Sequence, residues 1–153
     1  DVERSRGLGD VYKRQYLTAI KYAFVIMILS SLLVYSLAEL LTGLFSTDLN
    51  VIEFGKLYLQ ISAFVLPAYP VFFLSNGFFM ALKKSEKALI ANIFRNVIFP
   101  FLVFYTAVFY NSNFENFFWL WVIYNWIFSL SYLGYTFFYL NFRLDKFSTV
   151  VKP

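Results

Sequence analysis

The sequence predicts an all-α fold, a polytopic bundle of four transmembrane helices, and three observations carry that prediction. Only 14% of the residues are charged, 60% are hydrophobic and 24% aromatic, and the mean hydropathy is +0.64, whereas a soluble domain carries roughly 25% charge. Charge-free stretches run over Tyr22–Ala38, Leu57–Leu82, Asn96–Phe114 and Asn116–Phe142, each near or above the roughly 17 residues that a bilayer requires. No segment shows the period-two alternation of a barrel strand, so helix is the conformation that satisfies the backbone in lipid.

Residues 1–15 (DVERSRGLGDVYKRQ) stand apart from the rest, with seven charged side chains and two of the six glycines. SRGLGDVYKRQ resembles a translated sequencing-library adapter, and no initiator Met precedes it. The expectation is a non-native segment over 1–15, with a basic linker as the alternative, and the segment is set aside from fold reasoning. The membrane domain then covers 16–147 and a cytoplasmic tail 148–153.

The first span is placed at about 17–45. Ser46-Thr47-Asp48 offers an N-cap before the second, at about 51–82. Ser85 offers a cap for the third, at about 86–110, with Glu86 in its first turn. Asn111-Ser112-Asn113 is a polar turn before the fourth, at about 116–142. Four antiparallel spans put Lys21, Lys83, Lys84, Lys87, Arg95, Arg143, Lys146 and Lys152 toward one side and leave only Lys56 on the other. By the positive-inside rule the 83–87 loop and both ends face the cytoplasm.

The absence of Cys and His removes thiol nucleophiles, disulfides, imidazole bases and thiolate or imidazole metal sites. Nothing reads as a P-loop, a nucleophile elbow, a paired-carboxylate site or an EF-hand, and Gly43, Gly55, Gly77 and Gly134 are too scattered to cradle phosphate. No enzyme, catalytic residue, metal or cofactor is expected. There is no basic stripe for nucleic acid.

The stretch from Glu39 to Ile61 resembles the multidrug and toxic compound extrusion (MATE) family. Phe45, Asp48, Val51-Ile52, Gly55, Tyr58-Leu59 and Ile61 match the pattern that joins the third helix of each lobe to the fourth. Pro67 and Pro70, Asn76-Gly77, Ala81-Leu82-Lys83-Lys84 and Ala88-Leu89-Ile90 resemble the tenth helix and its basic loop. Arg95-Asn96-Val97-Ile98-Phe99 resembles the start of the eleventh, especially in DinF-like bacterial members. The resemblance covers about 17–142 and is weakest in the fourth span. It implies the last four helices of a twelve-helix, two-lobed antiporter in a bacterial inner membrane, with the upstream helices of the same polypeptide, the lipid bilayer and small organic substrates as partners.

In sodium-coupled members the helix similar to the second span bears an acidic cation ligand about two turns before the glycine matching Gly77. Here the neighbourhood reads Leu66-Pro67-Ala68-Tyr69-Pro70, with no carboxylate between Glu53 and Glu86. The coupling ion implied for the complete protein is H+ or Na+, and the departure favours a proton carried by an aspartate of the other lobe.

Transport-path candidates are the polar groups of the spans. Gln60, Tyr69 and Asn76 lie on the second, where Ser75 is a further polar group that prefers the lobe interior to lipid. Pro67 and Pro70 remove backbone donors and make either a moving hinge that opens carbonyls to a cavity or a static kink filled by neighbours. Asn92, Arg95 and Asn96, at i, i+3 and i+4, share a face that either lines a cavity mouth or lets Arg95 snorkel to headgroups. Asn125, Ser129, Tyr132 and Thr136 form a stripe on the fourth, for hydrogen bonding between helices or for a path. Ser31, Tyr35 and Glu39 form a line on the first, with Glu39 interfacial. Phe99, Phe101, Phe104 and Phe109 are lipid-facing or packing bulk, and Trp119, Trp121, Tyr110 and Tyr139 sit near interfaces.

The expected function is part of an efflux antiporter for organic, cationic or amphipathic compounds. The alternatives are a flippase of lipid-linked oligosaccharides from the same superfamily and a four-span accessory protein that transports nothing.

Overall fold

Among the described residues, four helices long and apolar enough to cross a membrane run over Lys13–Gly43, Leu49–Ala81, Ser85–Phe109 and Phe114–Asn141. These bounds fall within four residues of the predicted ranges. The computed structural model describes the backbone of residues 2–110 and 112–149, and the side chains of 11, 13–110 and 112–141. Asn111, the side chains of Arg143, Lys146 and Lys152, most side chains of the segment 1–15 and the tail beyond residue 149 therefore lie outside the described residues.

The first span is one helix, α1 (Val2–Gly43), which continues without interruption through the segment set apart by composition. Asp48 ends the first loop as the N-cap of α2 (Leu49–Ala63), accepting the Asn50 amide at 2.9 Å. The second span then breaks. A 3-10 turn at Leu66–Ala68 separates α2 from α3 (Tyr69–Ala81). At the end of α3 the Lys84 amide reaches the Phe79 carbonyl and the Lys83 amide reaches Met80, with Lys83 at φ 56°. This is a Schellman closure with a lysine where glycine is usual.

That closure leaves no room for Ser85 outside the next helix. Ser85 is the first residue of α4 (Ser85–Ile93) and not its cap, a position taken by Lys84 without a side-chain bond. The third span also changes winding. A π-helical turn at Phe94–Ile98 joins α4 to α5 (Phe99–Phe109), the Phe99 amide reaching back five residues to the Phe94 carbonyl. Pro100 has no amide to give Asn96 and its ring crowds that carbonyl, so the preceding turn widens. In the last loop, Asn113 caps α6 (Phe114–Thr149) by accepting the Asn116 amide at 2.9 Å.

The fourth span packs against parts of the other three, while the second is the most enclosed: 44% of its apolar window is buried, against 6% for the first. Two clusters form the core. Tyr16, Phe72, Phe78, Phe79, Tyr132 and Leu140 pack toward the lysine-rich loop, and Ile61, Val65 and Val122 pack toward the opposite end. The break in the second span lies between them. Of the phenylalanines predicted to be bulk, Phe101, Phe104 and Phe109 face outward, whereas Phe99 is buried against Trp121 and Tyr124.

Gly55 explains one fixed position in the 39–61 pattern. A Cβ there would stand 2.6 Å from Thr42 Cγ2 and 3.2 Å from its Cβ. Retreat of Thr42 would disturb the bond that its hydroxyl donates to the Ala38 carbonyl at 2.9 Å. The glycine therefore sets how closely the first two spans approach. Nearby, Lys56 pairs with Glu39 at 2.7 Å, so the lone cation at the acidic end carries its own counter-charge. Gly55→Ala is expected to destabilise the chain in detergent by about 1–3 kcal/mol through overpacking. Thr42→Ser, which deletes Cγ2 and keeps the hydroxyl, should recover part of that loss in the double variant, read by thermal unfolding.

Candidate functional site

Backbone accounting around the two prolines defines the first part of the site. Phe64 N–H donates to Ile61, Val65 to Ser62, Ala68 to Val65 and Tyr69 to Leu66. Two carbonyls are left over. Ala63 would be served by residue 67, which is proline, and Phe64 by Ala68, whose amide the 3-10 turn has drawn to Val65.

Both are taken by neighbouring spans. Ser31 Oγ donates to the Ala63 carbonyl at 2.7 Å and Trp126 Nε1 to the Phe64 carbonyl at 2.9 Å. In hydrocarbon an unpaired carbonyl costs several kcal/mol, so these two side chains make the break tolerable. In this conformation the kink is filled by its neighbours. Beside it lies an aromatic cavity of about 500 Å³, lined by Val34, Tyr58, Ser62, Tyr69, Phe118 and Trp121 among others.

The second part is a buried polar cluster on the lysine-rich side of the break. Tyr132 donates to Asn76 Oδ1 at 2.9 Å, and the Tyr16 and Ser75 hydroxyls share a hydrogen bond of 2.6 Å. Thr136 turns back to the Tyr132 carbonyl at 2.8 Å. All five side chains are buried. Helix periodicity is the reason they converge: Asn125, Ser129, Tyr132 and Thr136 occupy one face of α6, and all four are buried. Asn125 donates to its own helix at Trp121, and Tyr132 supplies the bond that crosses to α3.

Arg95 forms the third part. Its guanidinium carbon stands 4.1 Å from the Phe72 ring centre, 4.8 Å from Tyr69 and 5.6 Å from Phe73. Such contacts contribute roughly 0.5–2 kcal/mol each according to desolvation. The cation is thus held on an aromatic face of α3, and Tyr69 links it to the cavity.

The structure brings together Tyr69 with Arg95, and Asn76 with Tyr132. It does not gather Asn92, Arg95 and Asn96. Asn92 donates to the Ala88 carbonyl at 2.8 Å and Asn96 is exposed. The three sit across the junction where the winding changes, and the even 100° spacing behind their shared face does not hold in a π turn. Gln60 is half-buried on α2, away from these contacts, and Ser129 is buried on the α6 stripe.

Two participants escape sequence reasoning. Tyr16 follows directly on the segment excluded by composition, and inside that segment Lys13 Nζ donates to Asn141 Oδ1 at 2.8 Å. Trp126 reads as one more aromatic in an aromatic span. The available signal was a helical offset: Trp126 lies one residue beyond Asn125, at the edge of the polar stripe.

Residues 10–106 match the family described as MatE, a match that covers the first two spans and nearly all of the third and begins within the segment 1–15. No curated protein and no solved structure matches the chain.

Ser31→Ala is expected to cost about 1–3 kcal/mol by orphaning the Ala63 carbonyl. Pro67→Ala restores an amide at the position that serves that carbonyl, so the serine substitution should cost less than half as much in that background. Unfolding of the four variants in mixed micelles measures the coupling, and equal serine costs in both backgrounds would contradict the assignment.

Proposed function

Because the chain belongs to the MatE family of transporters, we propose that it works within a secondary active efflux antiporter for organic, cationic or amphipathic compounds, driven by H+ or Na+. The observation that carries this reading is the family match over 10–106, with the 39–61 pattern inside it. In this reading the four spans correspond to the last four helices of a two-lobed bundle, they sit in a bacterial inner membrane, and the lysine-rich loop and carboxyl end are cytoplasmic. Family membership sets enzymatic catalysis aside.

The geometry supports a division of labour. The aromatic cavity beside the broken span offers rings whose π faces attract a lipophilic cation and an apolar wall for its body. Arg95, itself cationic, repels a positively charged substrate from the Tyr69 side and so biases its position along the path. Rocking between outward-open and inward-open states would change the contacts around the break, where Ala63 lines the cavity.

Coupling is read from what the second span lacks. Between Glu53 and Glu86 there is no carboxylate, so a cation site on an acid about two turns before Gly77 has no ligand here. A proton on a carboxylate outside these spans is the reading we favour, by analogy with the family.

The test is transport by the complete protein in proteoliposomes, with a fluorescent lipophilic cation as substrate and an imposed proton or sodium gradient as the drive. Counter-gradient accumulation that collapses with the proton gradient is expected. Arg95→Ala should lower transport by about tenfold, equivalent to the loss of ~1.4 kcal/mol of ring contacts, and Arg95→Lys should recover only part of it, because the charge remains while the planar stacking is lost. Flipping of lipid-linked sugars without cation export would overturn the reading in favour of the flippase.

A further inference from the structure

A cleft of about 440 Å³ opens between α4 and α6, away from the aromatic cavity. Its walls are apolar along most of their length, formed by Ile90, Ala91 and Phe94 on one side and Phe128 and Tyr132 on the other. At its rim stands Lys87. The ammonium is held by the Tyr135 hydroxyl at 2.6 Å and lies 5.4 Å from the centres of both the Tyr135 and Tyr139 rings. Among the described residues no carboxylate pairs with Lys87, the one ion pair being Lys56–Glu39. Lys83 and Lys84 precede it in the adjoining loop.

We propose that this cleft holds one anionic phospholipid, with the headgroup phosphate at Lys87 Nζ and an acyl chain lying along Ile90, Phe94 and Phe128. Three features select this occupant. The hydroxyl protons along the cleft are already engaged, Ser131 donating to the Ile127 carbonyl at 2.7 Å and Tyr132 to Asn76, so an anion finds its donor at the Lys87 rim. The charge sits at one end and the apolar wall runs away from it, matching an amphiphile with a single anionic head. The distance from Lys87 to Phe94 along the helix is about 10 Å at ~1.5 Å per residue, which covers most of one leaflet's hydrocarbon depth of about 15 Å. Tyr135 and Tyr139 fix the ammonium at the rim, so less side-chain freedom is lost when phosphate arrives.

The proposal stands apart from the transport reading, and its test reads lipid and not export. The intact protein, purified in mild detergent, is mixed with phosphatidylglycerol or phosphatidylcholine of identical acyl chains, and retained lipid is counted by native mass spectrometry. Phosphatidylglycerol should be retained about fivefold or more over phosphatidylcholine, the ratio expected of one interfacial cation. Lys87→Gln should abolish the preference and Lys87→Arg should keep it. Ser131→Trp, at an exposed cleft position, should expel both lipids, while Lys83→Gln with Lys84→Gln should leave most of the preference. Equal retention of the two lipids by the unaltered protein would overturn the proposal, as would a preference that survives Lys87→Gln. Displacement of the lipid by an equal concentration of inorganic phosphate would reassign the site to the free anion.

Discussion

Pro67 takes away the amide that the Ala63 carbonyl would have received, and in hydrocarbon that carbonyl has no water to turn to. The 3-10 turn that carries the chain past the proline then strips the Phe64 carbonyl as well. A helix crossing a membrane tolerates two such losses only where neighbours supply donors at the right depth. Ser31 on the first span and Trp126 on the fourth do so, and much of the packing follows from their need to be there. The break binds three spans at one level and divides the core into two clusters, one aromatic and polar toward the lysine-rich loop, the other smaller and apolar.

On either side of this joint the bundle uses different means of holding together. Toward the acidic end, close backbone approach at Gly55 and Thr42 and the Glu39–Lys56 pair seat the first two spans together. Toward the lysine-rich end, hydrogen bonds link tyrosines to Ser75 and Asn76. Hydrogen bonds between membrane helices are individually modest, about 0.6 kcal/mol on average, so the second half holds through several weak polar links and stacked rings. That arrangement can repack without losing one dominant contact, which suits a protein proposed to alternate between two states.

The four spans were legible from charge-free length alone, because hydrocarbon excludes charge with little regard for packing detail. Asp48 was legible as a cap, since its chemistry is local, and the α6 stripe was legible because an uninterrupted helix keeps its period. Ser85 was not read correctly: whether it caps or enters α4 depends on the Lys83–Lys84 closure upstream. The placing of Arg95 over Phe72 was hidden for a similar reason. Its face is set by a π turn whose cause, Pro100, lies five residues downstream, and an even helical period cannot anticipate that. Ser31 and Trp126 stayed hidden as donors because their partners are backbone carbonyls 32 and 62 residues away in the chain, and a sequence does not display which carbonyls a break will release.

The most direct test of the joint is the vibrational frequency of the two carbonyls themselves. With 13C=18O labels at Ala63 and Phe64 in the membrane-embedded protein, isotope-edited infrared spectra separate these groups from the rest of the backbone. Both bands should fall at the lowered frequency of a hydrogen-bonded amide, and the Phe64 band alone should rise when Trp126 is replaced by phenylalanine. Bands at the frequency of free carbonyls in the unaltered protein would contradict the claim that side chains of the first and fourth spans hold the broken helix together.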